Sequence, residues 1–363
     1  MSIKSVRVLY TFLMATLFMS CFITGCISGS ESSEESSSAT LQSTNKLIVD
    51  KLDASLKELS LSVSALGDEY LKLYEKTSPM AKAERNKWLA NSKHGKDTII
   101  FYPSTGTPVA YQAPQPSFLY YSKEKPTETV WRELKIFETL AAPFKASSIT
   151  FNDSWVYMTT VNNAFLIYPH LPLKQAVNNY PPTKQIFYTA ADFKNKTIGW
   201  TEPYLDLVGA GMMVTAAYPV YDKDKLLGVI SRDITLDQIS RQALRPVSGP
   251  GAKAYCIIMD KNGLAVANRE KSAMEEIDKV NNKAGAAILY YRKTKDLKPK
   301  FRNSKNDLYN RVGSAVIDRI KQNPTGKIWN FTISSLKQPV VISAAQVKNT
   351  GWIVASFIIQ GTF

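Results

Sequence analysis

The feature that most constrains the fold is a repeated apolar pattern in the first quarter of the chain. Its spacing alternates between steps of four and steps of three, which predicts one long helix with a single apolar seam. A seam of this kind needs a cover. The rest of the chain can supply it, or a second copy can, which leaves a homodimer through this helix open. The seam residues are Leu52, Leu56, Leu59, Val63, Leu66, Tyr70 and Leu73.

Beyond a break at Ser78-Pro79 and a second amphipathic helix, the apolar period changes to the alternation of strands. Residues 155–161 and 164–168 flank an Asn-Asn turn, and residues 212–221 and 226–234 flank a second polar turn. Such paired runs predict antiparallel hairpins. Hairpins with intervening helices predict an α+β module.

A boundary rich in Pro, Gly and Ser lies near residues 245–251, and the same plan recurs after it at a smaller scale. A hairpin around Asp260-Lys-Asn-Gly comes first, then a helix over residues 307–321. Three strands follow, at residues 328–334, 339–347 and 352–359. The chain is therefore expected to hold two related modules.

The N terminus carries Lys4 and Arg7, an apolar run and then Ile23-Thr-Gly-Cys26. A basic start, an apolar stretch and small residues before a cut site predict an export signal. The tetrapeptide resembles the lipobox of bacterial lipoproteins, which implies a signal peptide over residues 1–25 and lipidation of Cys26. An ordinary secretory signal that contains a cysteine is the alternative. Residues 26–44, polar and rich in Ser and Glu, are predicted to form a flexible tether.

Composition argues against several classes of function. The net charge is +14, but the lysines are scattered, so a solvated surface near anionic lipid fits better than a nucleic-acid site. Cys21 and Cys26 belong to the export region, so Cys256 stands alone and no disulfide is expected. His94 and His170 have no metal-ligand spacing. No phosphate loop or nucleophile elbow is present, so we expect no cofactor, no metal and no enzymatic activity.

The middle of the chain contains Tyr168-Pro169, the run Trp200-Thr-Glu-Pro-Tyr204-Leu-Asp206, and Tyr218-Pro-Val-Tyr-Asp222. Together with the hairpins, these motifs resemble the double Cache domain, an extracellular sensor of many bacterial receptors. The resemblance implies a long N-terminal helix followed by two Cache (PAS-like) modules, each with a central antiparallel sheet. The expected division is a helical region over 45–95, a membrane-distal ligand-binding module over 96–245 and a membrane-proximal module over 246–363.

One subgroup of that family binds amino acids, and its signature implies a set of site residues here. Gln185 falls where the signature has an arginine, and Phe187 falls where it has a tryptophan; the other positions match. The implied ligand-binding residues are Tyr180, Gln185, Phe187, Tyr188, Tyr204, Asp206 and Asp233.

The departure at Gln185 bears on the chemistry of the ligand. Asp206 and Asp233 with nearby rings suit a bound ammonium group, whereas Gln185 cannot offer a carboxylate the bidentate cation that an arginine would. The ligand is therefore expected to be an amine or an amino-acid-like compound. The alternative is that the rings are ordinary core residues and that Asp233 pairs with Arg232 or Arg241.

The resemblance implies a lipid-anchored sensor in the bacterial cell envelope that faces the periplasm or the exterior and takes part in signal transduction. It would bind a small molecule and act through a membrane receptor. A capture protein for a transporter and a structural envelope lipoprotein without a ligand are the alternatives. An enzyme that uses Asp206 and Asp233 as a carboxylate pair has no other support in the sequence.

Overall fold

The computed structural model describes residues 31–103, 114–148, 155–171, 180–206, 209–245, 254–293, 300–334 and 336–360. The predicted signal peptide and Cys26 lie outside these residues. The chain divides into two compact units, residues 1–37 and residues 38–363. The packing described below is that of the second unit.

Helix α1, Glu31–Lys76, begins earlier than the sequence pattern suggests. The predicted flexible tether over residues 26–44 is therefore wrong for residues 31–44. The apolar seam continues backwards from Leu52 through Ile48, Asn45 and Leu41 in steps of four, three and four. All four of these side chains are buried, so burial rather than local composition keeps this segment helical.

The seam of α1 is covered by its own chain. Leu56, Leu59, Val63 and Tyr70 are each completely buried, and they belong to the same hydrophobic core as the strands that follow. The first of the two predicted alternatives is thus confirmed. Six of the seven seam residues are buried, and Leu73 is partly buried. A homodimer through this helix stays a prediction.

The predicted break at Ser78-Pro79 is confirmed, since α1 ends at Lys76 and helix α2, Lys82–Ala90, follows. Helix α3, Glu128–Ser147, is capped by the hydroxyl of Thr127, which accepts a hydrogen bond from the Val130 amide. The buried face of α3 includes Leu134, Phe137 and Phe144, which lie in the core shared with α1 and the first sheet.

The first sheet has nine strands, and every pair of neighbours is antiparallel. The strand order is β1-β2-β3-β5-β4-β9-β8-β6, and β7 also pairs with β8. Two short helices, α4 (Ile186–Thr189) and α5 (Leu236–Ile239), belong to the same region. The strands are β1 Ser92–His94, β2 Ile99–Phe101, β3 Ser117–Tyr120, β4 Val156–Thr160, β5 Ala164–Tyr168, β6 Gly199–Trp200, β7 Tyr204–Leu205, β8 Met212–Asp222 and β9 Lys225–Thr235.

Both predicted hairpins of this sheet are confirmed. The β4–β5 turn contains Asn163 at φ 63°, and the β8–β9 turn contains Lys223 at φ 56°; short polar residues such as Asn tolerate this region better than most. Successive residues of a strand point to opposite faces of the sheet. Val156 and Met158 accordingly join the core that contains α3, while Tyr157 joins a second cluster on the other face.

The second sheet has five antiparallel strands in the order β11-β10-β16-β15-β14. Helix α6, Lys271–Ala284, was not predicted, whereas α7, Asp307–Gln322, was. Beside them lies a short parallel pair, β12 (Leu289–Tyr290) and β13 (Arg302–Asn303). The strands are β10 Tyr255–Met259, β11 Ala265–Asn268, β14 Ile328–Ile333, β15 Val340–Gln346 and β16 Ile353–Ile359.

The predicted α+β fold is therefore confirmed: a long N-terminal helix precedes two antiparallel sheets. One backbone bridge connects the two modules directly, because Tyr204 of β7 pairs with Ala286, two residues after the end of α6. Within the described ranges, none of the helices combines the length and the apolar character that crossing a membrane requires.

Candidate ligand-binding site

A cavity of about 60 Å³ lies in the first module, and half of the residues that line it are aromatic. Its residues come from the sheet face that carries Tyr157, from α4 and from β7. Among the described residues that line it, the charged side chains are Asp206 and Asp233 alone. The rings are those of Tyr121, Trp155, Tyr157, Phe165, Tyr180, Phe187 and Tyr204.

Asp233 lies on β9 with only 4% of its surface exposed. Its Oδ1 accepts hydrogen bonds from the hydroxyls of Thr215 (2.7 Å), Tyr157 (2.8 Å) and Tyr204 (3.4 Å). Its backbone N–H donates to the carbonyl of Trp155 at 2.9 Å. Neighbouring strands supply these partners: Thr215 is directly opposite Asp233 in the β8–β9 pair, and Tyr157 comes from β4.

The other oxygen of this carboxylate is available to a ligand. Within the part of the chain that the structure describes, all hydrogen bonds to the Asp233 side chain end at Oδ1, and none reaches Oδ2. Burial raises the pKa of Asp233 to about 7, partly opposed by the hydrogen bonds from Thr215 and Tyr157, while the nearby charge of Asp206 raises it further. A cation placed beside Oδ2 would favour the ionised form.

Asp206 has a second task besides lining the cavity. Its Oδ2 accepts a hydrogen bond from the Ala210 amide at 2.8 Å, and its backbone N–H donates to the Gly211 carbonyl at 2.9 Å. These bonds hold Asp206 beside Ala210 and Gly211. Its charge also reaches the cavity, where it helps to raise the pKa of Tyr180 to about 12, after burial and Asp233.

Phe187 is held at the centre of the aromatic wall. Its ring meets Tyr157 edge-on, with centroids 5.0 Å apart and planes at 82°, and it lies 6.3 Å from Phe165 and 6.4 Å from Tyr180. Its backbone carbonyl accepts a hydrogen bond from the hydroxyl of Ser231 on β9 at 2.9 Å. Side chain and backbone are therefore both fixed, which gives the cavity a defined shape.

Two of the seven predicted residues do not line this cavity. Gln185 precedes α4, and its side-chain amide donates to the carbonyl of Pro181 at 3.1 Å. Tyr188 is buried beside Phe193, with ring centroids 5.8 Å apart, and burial raises its pKa to about 12. Helical geometry explains the split, because adjacent residues of α4 face different directions and Phe187 takes the direction of the cavity.

The other five predicted residues, Tyr180, Phe187, Tyr204, Asp206 and Asp233, all lie in the cavity wall. As for the alternative pairing of Asp233, Arg241 forms an ion pair with Asp237 at 2.8 Å. The guanidinium of Arg232 donates to the hydroxyl of Ser147 at the end of α3. That the five residues bind a ligand stays a prediction.

Trp155 is a wall residue that the sequence signature does not include. Its indole N–H is buried and has no hydrogen-bond partner among the residues that the structure describes, although buried indole N–H groups usually find an acceptor. Tyr157 was missed too. A signal for both was present in the sequence. Trp155 directly precedes β4 and Tyr157 lies on it, and residues two apart in an extended chain share a face.

Within the described residues, no group of three or more His, Cys, Asp or Glu side chains is placed to hold a metal ion. The described residues of the cavity wall offer carboxylates, hydroxyls, the indole N–H of Trp155 and aromatic faces to a ligand. This combination suits a small organic cation.

Part of the chain is similar to a family of sensor domains. A family model described as the first PDC sensor domain of methyl-accepting chemotaxis protein-like proteins matches residues 136–241. The methyl-accepting chemotaxis protein McpC of Bacillus subtilis (strain 168) is 30% identical over 117 residues. That alignment spans 32% of this chain and only 18% of McpC.

Two solved structures are similar over almost the whole chain. The ligand-binding domain of the Campylobacter jejuni chemoreceptor Tlp3 in complex with L-norvaline has a TM-score of 0.50 at 14% identity, and the similarity covers 90% of this chain and 92% of that one. The same domain with L-valine also has a TM-score of 0.50 at 14% identity, over 93% and 98% of the two chains. The chain therefore has the fold of double Cache ligand-binding domains, as the sequence motifs predicted.

Proposed function

We propose that this protein is a lipid-anchored extracytoplasmic sensor whose first module binds a small amine or amino-acid-like compound through its ammonium group. The observation that carries the proposal is the charge of the cavity wall. Both charged side chains among its described residues are carboxylates, and they lie among aromatic rings. A cavity of this kind would repel a simple anion and attract a cation.

The ammonium group has a specific place in this proposal. It would donate to Oδ2 of Asp233, while the rings of Tyr180, Phe187 and Tyr204 would present their faces to its charge or to the attached carbon chain. A hydrogen bond to a charged group contributes about 1.5–3 kcal/mol. A cation over an aromatic ring adds about 0.5–2 kcal/mol, more when water is excluded.

The same wall favours an amine over a complete amino acid. No basic side chain is among the described residues that line the cavity, so an α-carboxylate would lie beside two carboxylates without a counter-charge. The indole N–H of Trp155, which meets no acceptor in the described part of the chain, is a neutral donor and suits a carbonyl or hydroxyl oxygen. The favoured ligand therefore combines one ammonium group with an apolar body or a neutral acceptor.

The relatives support the general class of ligand. The Tlp3 domain binds L-norvaline and L-valine in its solved complexes, and both carry the ammonium group that Asp233 would recognise. Gln185, at the arginine position of the amino-acid signature, donates to the backbone carbonyl of Pro181. An amine-binding variant of the same site is consistent with that difference.

Matched ligand pairs test the proposal. n-Butylamine is L-norvaline without its carboxylate, and isobutylamine is L-valine without its carboxylate, so calorimetry with each pair isolates the contribution of that group. We expect the amines to bind at least tenfold more tightly than their amino acids. Tighter binding of the amino acids would reject the preference for amines, and no binding of any of the four would reject this ligand class.

The anchor and the partner are part of the same proposal. The lipobox-like Ile23-Thr-Gly-Cys26 supports lipidation at Cys26, and two acyl chains would hold the protein firmly to a membrane. The similarity to McpC, a methyl-accepting chemotaxis protein, supports a membrane receptor as the recipient of the signal, in preference to a transporter.

A further inference from the structure

The second module contains a large groove that the proposed sensor site does not use. It lies between α6 and the segment from residue 300 to residue 309, and its volume is about 840 Å³. Apolar groups form much of its floor, including Val280, Ile288 and the buried ring of Tyr309. Five basic side chains and two acidic ones also line it.

The basic residues come from both walls of the groove. Lys279 and Lys283 are four residues apart on α6 and therefore share one face of the helix. Lys300 lies in the turn before β13 and Arg302 lies on β13, and both side chains line the opposite wall. Like charges at this helical spacing destabilise a helix by about 0.2–0.5 kcal/mol, so local stability does not explain the arrangement.

Both acidic residues of the groove have partners within the protein. Both carboxylate oxygens of Glu276 accept hydrogen bonds, one from the Ser304 hydroxyl at 2.6 Å and one from the Lys305 amide at 2.8 Å. These bonds tie the two walls together. Glu275 lies 3.9 Å from the ammonium group of Lys271, which is outside the groove.

Positive charge therefore dominates the groove. Within the described part of the chain, Lys279, Lys283 and Lys305 form no ion pair, and all three are exposed. Lys279 and Lys283 are neighbours on one helix face, and their charges repel one another unless an anion lies between them. A groove with cations on both walls and an apolar floor can accept an anion that also has an apolar part.

We propose that this groove is a second binding site and that it takes a phosphate ester. A phosphate monoester carries about 1.5 to 2 negative charges near neutral pH, which matches several cations better than a single carboxylate does. Its three oxygens can reach lysines from both walls, and the esterified group would lie over Val280 and Tyr309. Either a soluble phosphate monoester or the head group of phosphatidic acid, which is also a phosphate monoester, has this chemistry.

Three probes distinguish these sources in calorimetry with the purified full chain. Phenyl phosphate represents soluble esters, dihexanoylphosphatidic acid below its micellar concentration represents lipid head groups, and inorganic phosphate lacks the apolar part. Phenol is the uncharged control. We expect saturable binding of at least one ester, weaker binding of inorganic phosphate, and a loss of affinity as NaCl is added.

A matched pair of double variants locates the binding. Lys279→Gln with Lys283→Gln removes two charges from the groove wall, and we expect roughly 10- to 100-fold weaker binding. Lys321→Gln with Lys327→Gln removes two exposed charges outside the groove and should bind as the wild type does. Lys300→Gln with Lys305→Gln, on the opposite wall, should repeat the loss.

The ester that binds more tightly identifies the source, and tighter binding of either one supports the site. Two results would overturn the proposal. One is the absence of saturable binding for all three phosphate probes at millimolar concentration. The other is equal affinity in the groove variants and in the matched control, which would mean that the charge of the whole surface attracts the anion.

Discussion

Replacing Asp233 by Asn keeps the size of a buried side chain and removes its titration. The amide oxygen of Asn can still accept the hydroxyls of Tyr157, Tyr204 and Thr215, which meet Oδ1 in the wild type. The pKa of Asp233 in the folded protein is about 7, raised first by burial and also by the charge of Asp206. In an unfolded chain the pKa of Asp is about 3.9.

The sign of the effect follows from these two values. The folded-state pKa is the higher one, so this carboxyl contributes stability that is fully present below about pH 3.9 and is lost as the pH rises through about 7. A difference of about three pKa units corresponds to about 4 kcal/mol. The Asp233→Asn protein has no such loss. Its free energy of unfolding, relative to the wild type, should therefore rise by about 4 kcal/mol between pH 4 and pH 8.

Urea unfolding of both proteins at pH steps between 4 and 8, without ligand, measures this difference. Asp224→Asn is the control, because Asp224 is exposed and its pKa is lowered by the hydrogen bond and charge of Lys196; its effect should be small and opposite in sign. A difference between the wild type and Asp233→Asn that stays constant over this range would refute the reasoning. It would mean that Asp233 is ionised throughout or that water reaches it.

Two further predictions rest on the same residues and on the lipobox. If an amine binds to ionised Asp233, its affinity for the wild type should rise about tenfold per pH unit up to about pH 7 and then level off, whereas Asp233→Asn should bind weakly and show no such rise. Calorimetry at pH 5, 6, 7 and 8 measures the two profiles, and a flat profile in the wild type would contradict the prediction. Replacing Cys26 by Ser should release the protein from membranes and abolish fatty-acid labelling, and a Ser variant that still labels and still sediments with membranes would contradict the lipoprotein assignment.

The elements that the sequence predicted well are those with a strong period and a clear turn. The seam of α1, both hairpins of the first sheet and the last three strands all have buried residues at the expected spacing. Helix α6 was missed because its apolar residues are few: Ala273, Met274 and Ile277 are its buried hydrophobic residues, and the other buried residue is Asn281. A short apolar stripe becomes informative only when the surface that covers it is known.

The candidate site was predictable only in part, because its residues come from distant segments. Asp233 and Tyr204 fit a signature that the chain carries in sequence. Tyr157 reaches the carboxylate of Asp233 because β4 pairs with β9. The alternation along the strand shows which residues share a face with Tyr157, but it does not show which strand β4 pairs with. Gln185 shows the reverse case, since it occupies a signature position, yet its side chain donates to the carbonyl of Pro181.

Tyr204 gives the cavity a physical connection to the second module. Its hydroxyl lies 2.7 Å from that of Thr215 and donates to Asp233, while its backbone pairs with Ala286, just beyond α6. A ligand ammonium beside Asp233 would favour the ionised carboxylate and pull it away from the hydroxyl of Tyr204. The rigid ring of Tyr204 would then transmit the shift to the backbone bridge. We therefore interpret β7 as the element that couples the two modules. In hydrogen exchange, an amine should alter the protection of amides near the end of α6 in the wild type. Tyr204→Phe keeps the backbone bridge but lacks the hydroxyl, so the amine should not alter that protection in this variant. An identical response of the two proteins would rule this coupling out.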